Sequence, residues 1–123
     1  MTIDANIIIA YLAGDQEVVE ALSQFRQEGK ILILPTVVEA EVLSSSGWTK
    51  EERLITESFL EENFTSIPLD RHIAKVSAEI RRETKLKFPD AAIAATALFA
   101  NTPLITRNIR DFKKVPGLSL LKI

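Results

Sequence analysis

Ile31-Leu32-Ile33-Leu34-Pro35-Thr36-Val37-Val38-Glu39-Ala40-Glu41-Val42-Leu43 joins two kinds of apolar pattern with no loop between them. The first four residues form a continuous apolar run of strand length, which suits a parallel strand covered on both faces. Pro35 or Thr36 then stands near a helix start, where a missing N–H costs nothing, and the helix runs to about Ser45. A strand passing straight into a helix is the repeating unit of a parallel α/β sheet. The same alternation continues on both sides. Upstream, Thr2-Ile3 begins a short strand that stops at Asp4, and a helix follows from Asn6 to Ala13, closed by Gly14. Gln16 to Gln27 repeats Val18, Val19, Leu22 and Phe25 at helical spacing, and Gly29 closes it. Downstream, Thr49 and Glu52 form a capping-box pattern for a helix reaching about Glu62, and Phe64–Ile67 is a strand. Asp70 caps a helix with an Ile73, Val76, Ile80 stripe, and Pro89 opens another helix over Asp90–Ala100. Leu104–Thr106 and Leu118–Leu121 are the last strands.

The expected fold is therefore α/β, a short parallel sheet flanked by helices in three layers, in one domain spanning 1–123. No repeat, linker or low-complexity segment interrupts it. Apolar residues at 46% and charged residues at 26% are those of a soluble globular chain. No apolar run approaches the roughly 18–20 residues of a bilayer span, and Met1-Thr2-Ile3-Asp4 lacks a basic signal stretch, so no membrane partner and a cytoplasmic location are expected. With no cysteine, neither a disulfide framework nor a thiolate zinc site is available. The net charge of −2 argues against a general nucleic-acid coat. Its distribution is uneven: residues 1–70 hold 4 Lys/Arg and 13 Asp/Glu, whereas residues 71–123 hold 11 and 4. Such asymmetry supplies a basic face if the fold keeps the halves apart.

Several chemistries are missing. His72 is the only histidine, so no histidine pair supplies acid and base, and it reads as a polar-face residue. Ser44-Ser45-Ser46 lacks a nucleophile-elbow pattern, and no Gly-rich phosphate loop is present. Carboxylates remain, and they are the ligands that hard divalent cations prefer. Parallel sheets place ligands at the carboxyl ends of strands. Asp4 and Thr106 both fall at such ends. Asp4 reads equally as a helix cap or as a buried acid seeking a partner or metal. Glu39 and Glu41 both lie among apolar neighbours, and periodicity does not choose between them. Asp90 opens a helix of small residues, where the helix dipole alone would stabilise it. Thr106 is suited to holding a carboxylate or a metal-bound water, and Asp111 to ligation or to capping a short turn.

Taken in order, these segments resemble the PIN-domain nucleases, and most closely the VapC-type toxins of toxin–antitoxin pairs. The likeness rests on Ile3-Asp4-Ala5-Asn6 with the apolar run to Leu12, on Pro35 to Leu43, on Phe88-Pro89-Asp90 with the alanine-rich run to Ala97, and on Leu104 to Phe112. Val115-Pro116-Gly117-Leu118 adds to it. The resemblance implies catalytic acids at Asp4, Glu41 and Asp90, the second falling on Glu41 rather than Glu39. It implies a fourth group at Asn108 or Asp111, with Asn6, Thr106 and Asn108 in support. Where the family has a small polar residue after the first acid, this chain has Ala5.

The function so implied is a Mg²⁺-dependent endoribonuclease, with Mn²⁺ as an alternative ion, held by Asp4, Glu41 and Asp90. These acids lie 37 and 49 residues apart, so only folding assembles them. Their mutual repulsion predicts raised carboxyl pKa values in the metal-free protein. Arg81, Arg82, Lys85 and Lys87 are candidate contacts to the RNA backbone, since phosphates need only point charges. The resemblance further implies an antitoxin partner and a homodimer, with Trp48, Leu54, Ile55 and Phe59 as surface candidates. The competing readings are an inert RNA- or protein-binding module and a metal-dependent DNA nuclease.

Overall fold

The computed structural model describes residues 1–123. Five parallel strands, β1 (Thr2–Ile3), β2 (Ile33–Pro35), β3 (Thr65–Ile67), β4 (Leu104–Ile105) and β5 (Leu120–Leu121), lie in the order β3-β2-β1-β4-β5. Seven helices flank them: α1 (Ala5–Leu12), α2 (Gln16–Gln27), α3 (Thr36–Leu43), α4 (Lys50–Asn63), α5 (Arg71–Thr84), α6 (Phe88–Ala100) and α7 (Ile109–Phe112). β1 is central. Thr2 stands opposite Ile33 on one side and Leu104 on the other. From β1 the chain first builds outward through β2 and β3, then returns across the sheet to β4 and β5. The strand order thus reverses between β1 and β4, and such switch points open a crevice at the carboxyl ends of the strands.

The strands are short, so the fold depends on its helix-to-sheet packing. A core of 23 buried apolar residues includes Ile3, Ile7, Ile8, Leu34, Val38, Ile93, Leu104, Ile105 and Phe112. In α6 the seven residues Ala91–Ala97 are all buried, which the small side chains permit by close approach of α5, α3 and β1. Thr49 and Glu52 form the expected reciprocal capping box on α4, and Asp70 caps α5. Gly14 follows α1 with φ of 81°, a left-handed turn that favours a residue without Cβ.

Two local expectations shift. The strand read at Ile31–Leu34 lies at Ile33–Pro35 instead. The Ile31 carbonyl accepts the Met1 ammonium at 2.8 Å, and Ile33 N–H donates to the Met1 carbonyl, which sets the register. Pro35 closes that strand and precedes α3 directly. The segment after β4, read as a turn, contains the one-turn helix α7, anchored by the fully buried Phe112.

Candidate active site

Asp4 follows β1 directly and caps α1. Its Oδ1 accepts the N–H of Ala5 at 2.7 Å and its Oδ2 accepts the hydroxyl of Thr106 at 2.7 Å. Its backbone N–H donates to the Ile105 carbonyl, carrying the β1–β4 pairing one residue further. Asp4 is 5% exposed and Thr106 is fully buried. Burial pushes the Asp4 carboxyl above the usual carboxylate range, and the bonds from Thr106 and Ala5 only partly oppose it.

The other acids arrive from different elements. Glu41 projects from α3 beside an apolar cleft lined by Ile9, Leu12, Val42 and Trp48. Partial desolvation, then the charges of Asp4 and Asp90, raise its carboxyl. Glu39 lies two residues earlier, about 200° round the same helix. Asp90 stands in the first turn of α6, half-buried; desolvation, then Asp4 and Asp111, raise its carboxyl, while Lys87 pulls it down. Asp111 lies in α7, where its Oδ2 accepts Asn108 Nδ2 at 3.1 Å and Lys114 sits 3.8 Å from its Oδ1. Four carboxylates from four elements thus share one electrostatic neighbourhood at the sheet's switch point.

The supporting polar residues form one network. Thr106 Oγ1 accepts the Asn108 N–H at 2.9 Å and Asn6 Nδ2 at 3.4 Å while donating to Asp4. Asn108 therefore links Thr106 to Asp111. Asn6 bridges the two strand exits, its Oδ1 accepting the Arg107 N–H at 3.3 Å. Of the four cations at the α5–α6 junction, Lys87 acts on the acids directly. Arg81, Arg82 and Lys85 line a separate groove with Ala78 and Leu86, and Arg81 Nε donates to the Leu86 carbonyl at 3.3 Å. Trp48 is half-buried against the core, while Leu54 and Ile55 stand exposed on α4. His72 is exposed on α5, with its ring 5.6 Å from that of Phe99 and away from the acids. Sequence reasoning assigned nothing to Asp15 or Arg107, which form a 2.7 Å ion pair beside the network. The capping position of Asp15 before α2 was the one visible signal.

The donor set is hard throughout, carboxylate and hydroxyl oxygens; desolvation raises the carboxyls of Asp4, Glu41 and Asp90, and neighbouring acids add to the rise at Glu41 and Asp90. That chemistry fits Mg²⁺ or Mn²⁺. The acids do not close into a ready ligand shell. Mg²⁺ keeps several waters, and an open set of carboxylates suits it.

A parallel sheet flanked by helices, with acids gathered at its switch point, defines an α/β protein with an acidic crevice. The sequence pattern of the PIN domain matches residues 1–118, and the chain belongs to that family. Its likeness within the family is to VapC-type chains. Ribonuclease VapC of Rickettsia bellii (strain RML369-C) is 29% identical over 133 residues, covering 100% of this chain and 96% of that one. A toxin–antitoxin complex from Klebsiella pneumoniae contains a chain 32% identical, with a TM-score of 0.80 over 98% of this chain and 94% of that one. VapBC2 from Rickettsia felis, solved bound to a DNA fragment from its promoter, shares the fold at a TM-score of 0.84 and 21% identity, covering 99% and 97%. No helix is long and apolar enough to cross a membrane.

Proposed function

We propose that this chain is a divalent-metal-dependent endoribonuclease acting in the cytoplasm as the toxin of a toxin–antitoxin pair. The observation that carries the reading is the convergence of Asp4, Glu41, Asp90 and Asp111: beyond desolvation, the charges of Asp4 and Asp90 raise the Glu41 carboxyl, and those of Asp4 and Asp111 raise the Asp90 carboxyl. Asp4 is the buried member, and burial of a carboxylate without a cation is unfavourable.

Asp4, Glu41 and Asp90 would hold Mg²⁺ or Mn²⁺, with Asp111 completing the acidic ring. The bound ion would lower the pKa of a coordinated water and offset charge on the phosphodiester. Thr106 fixes the rotamer of Asp4 through its hydroxyl and keeps one carboxylate oxygen oriented. Asn108 orients Asp111 in the same way. Lys87, whose charge acts on Asp90, would meet a substrate phosphate, and Arg81, Arg82 and Lys85 would extend that positive track along the RNA backbone.

The apolar cleft beside Glu41, with Ile9 53% exposed, supports an antitoxin that covers the site by burying apolar side chains next to the acids. The exposed Leu54 and Ile55 on α4 offer surface for that partner or for a homodimer.

The test is cleavage of a mixed pool of structured RNAs, with a DNA pool beside it, in Mg²⁺, Mn²⁺ and EDTA, comparing wild type with Asp4→Asn and Asp90→Asn. Metal-dependent RNA cutting lost in both folded variants is expected. Cutting that survives in either folded variant would sink the mechanism, cutting of DNA alone would replace the substrate, and a folded protein that binds neither metal would favour a binding module.

A further inference from the structure

β1 and β4 stop pairing at the Asp4 N–H; past that point the chain enters α1 directly from Asp4, while Thr106, whose N–H still bonds the Leu121 carbonyl, leads into the loop before α7. Something must hold them together where the ladder ends. Arg107 spans the gap. Its NH2 group donates to Asp15 Oδ2 at 2.7 Å, its Nε to the Ile123 carbonyl at 3.4 Å, and its backbone N–H to Asn6 Oδ1 at 3.3 Å. Asp15 is itself fixed, because its Oδ1 caps α2 by accepting the N–H groups of Glu17 and Val18. The far end of this bridge is thus the N-terminus of a helix whose Val18 and Leu22 are fully buried.

We infer that the Asp15–Arg107 pair is a latch that positions the acidic site: it ties the β4–α7 loop to the α1–α2 turn, so that Asn6 and Thr106 hold Asp4 in one geometry. This rests on the metal-dependent function proposed above only for its catalytic consequence. The path is continuous, from Asp15 to Arg107, to Asn6, to Thr106 and to Asp4. Arg107 is a positioning residue, since its guanidinium is occupied by Asp15 and Ile123 and touches none of the acids. Outer partners of this kind govern how well a ligand set is preorganised, although they bind nothing themselves. The pair also joins the acidic half of the chain to the basic half. The other ion pair, Lys114–Asp111, is local at i,i+3.

Two readouts test the latch, one of them without metal. Asp15→Ser keeps an N-cap for α2 but is too short to reach Arg107. Arg107→Met removes the guanidinium, and Arg107→Lys restores the charge alone. In the metal-free protein, amide hydrogen exchange at Asn108, whose N–H is held by Thr106 Oγ1, should quicken about tenfold in Asp15→Ser and Arg107→Met while Ile3 stays protected. Calorimetric titration with Mn²⁺ should show about tenfold weaker binding in both variants. Arg107→Lys should lie between, with kcat falling and the RNA KM unchanged. Unaltered exchange at Asn108 in folded variants would overturn the latch whatever the metal data show. A rise in KM with wild-type Mn²⁺ affinity would also overturn it, making Arg107 a substrate-binding residue. If wild type itself fails to take up Mn²⁺, the proposed function falls, and the exchange measurement still decides the latch.

Discussion

Thr106→Val deletes one oxygen from a fully buried side chain and keeps its shape. That oxygen makes three hydrogen bonds: to Asp4 Oδ2 at 2.7 Å, from Asn108 N–H at 2.9 Å and from Asn6 Nδ2 at 3.4 Å. Losing a bond to an ionised carboxylate costs about 1.5–3 kcal/mol, and leaving the half-buried Asn108 N–H unpaired adds about 1 kcal/mol. A destabilisation of about 3 kcal/mol lowers Tm by about 12 °C in a chain of this length. The loss depends on pH in a definite direction. In the wild type the Thr106 bond opposes the rise that burial imposes on Asp4, so the variant's Asp4 pKa moves higher still. A folded-state pKa above the unfolded value stabilises the protonated form. The unfolded pKa is common to both proteins, so the variant's deficit shrinks as pH falls from the variant's folded Asp4 pKa to the lower folded pKa of the wild type, and is constant outside that window. Thermal unfolding of the metal-free protein by circular dichroism at pH 7.5 and pH 5 measures both effects, with Thr106→Ser as the variant that retains the oxygen. A fall in Tm under about 3 °C at pH 7.5 would refute the role given to this hydroxyl.

Asp90→Asn should raise the Tm of the metal-free protein at neutral pH, because a carboxyl pushed up by burial and by Asp4 and Asp111 destabilises the fold above its unfolded pKa; differential scanning calorimetry in EDTA checks this, and the gain should vanish near pH 4. Phe112→Ala removes a fully buried ring and should cost about 3–5 kcal/mol in denaturant unfolding. The same substitution should quicken hydrogen exchange across α7, since Phe112 is what pins that helix. Neutralising Arg82 and Lys85 together should flatten the salt dependence of RNA binding by about 0.7 in log–log slope for each phosphate deprived of its cation, read by fluorescence anisotropy at several salt concentrations.

The alternation of elements was legible because strands and helices carry different apolar patterns, and most helix ends are marked by Thr49, Asp70, Pro89 or Gly14. Strand order was not legible from pattern, since strands of two or three residues carry no periodicity. Ile31–Leu34 shows the limit well. Four apolar residues in a row fit several registers, and the Met1 backbone made the choice. Of the acids, Asp4 stood out by its place at a strand end. Glu41 did not, because α3 is apolar on nearly every side, and only the family likeness separated it from Glu39. In the structure the charges of Asp4 and Asp90 act on the Glu41 carboxyl. Asn108 and Asp111, which looked like alternatives, are hydrogen-bonded to each other. The Asp15–Arg107 pair was invisible, because nothing local connects residues 92 positions apart.

The central place of β1 has a consequence for the timing of synthesis. Asp4 is made before any of the other site residues, yet the hydroxyl that orients it belongs to Thr106, 102 positions later. At about 5–20 residues per second, the nascent chain carries its first acid for several seconds before the neighbouring strand exists. Until then the sheet lacks β4 and β5 on one whole side. The site is thus finished only after Thr106 has been made, by which point β2 and β3, the strands on the other side of β1, are already complete.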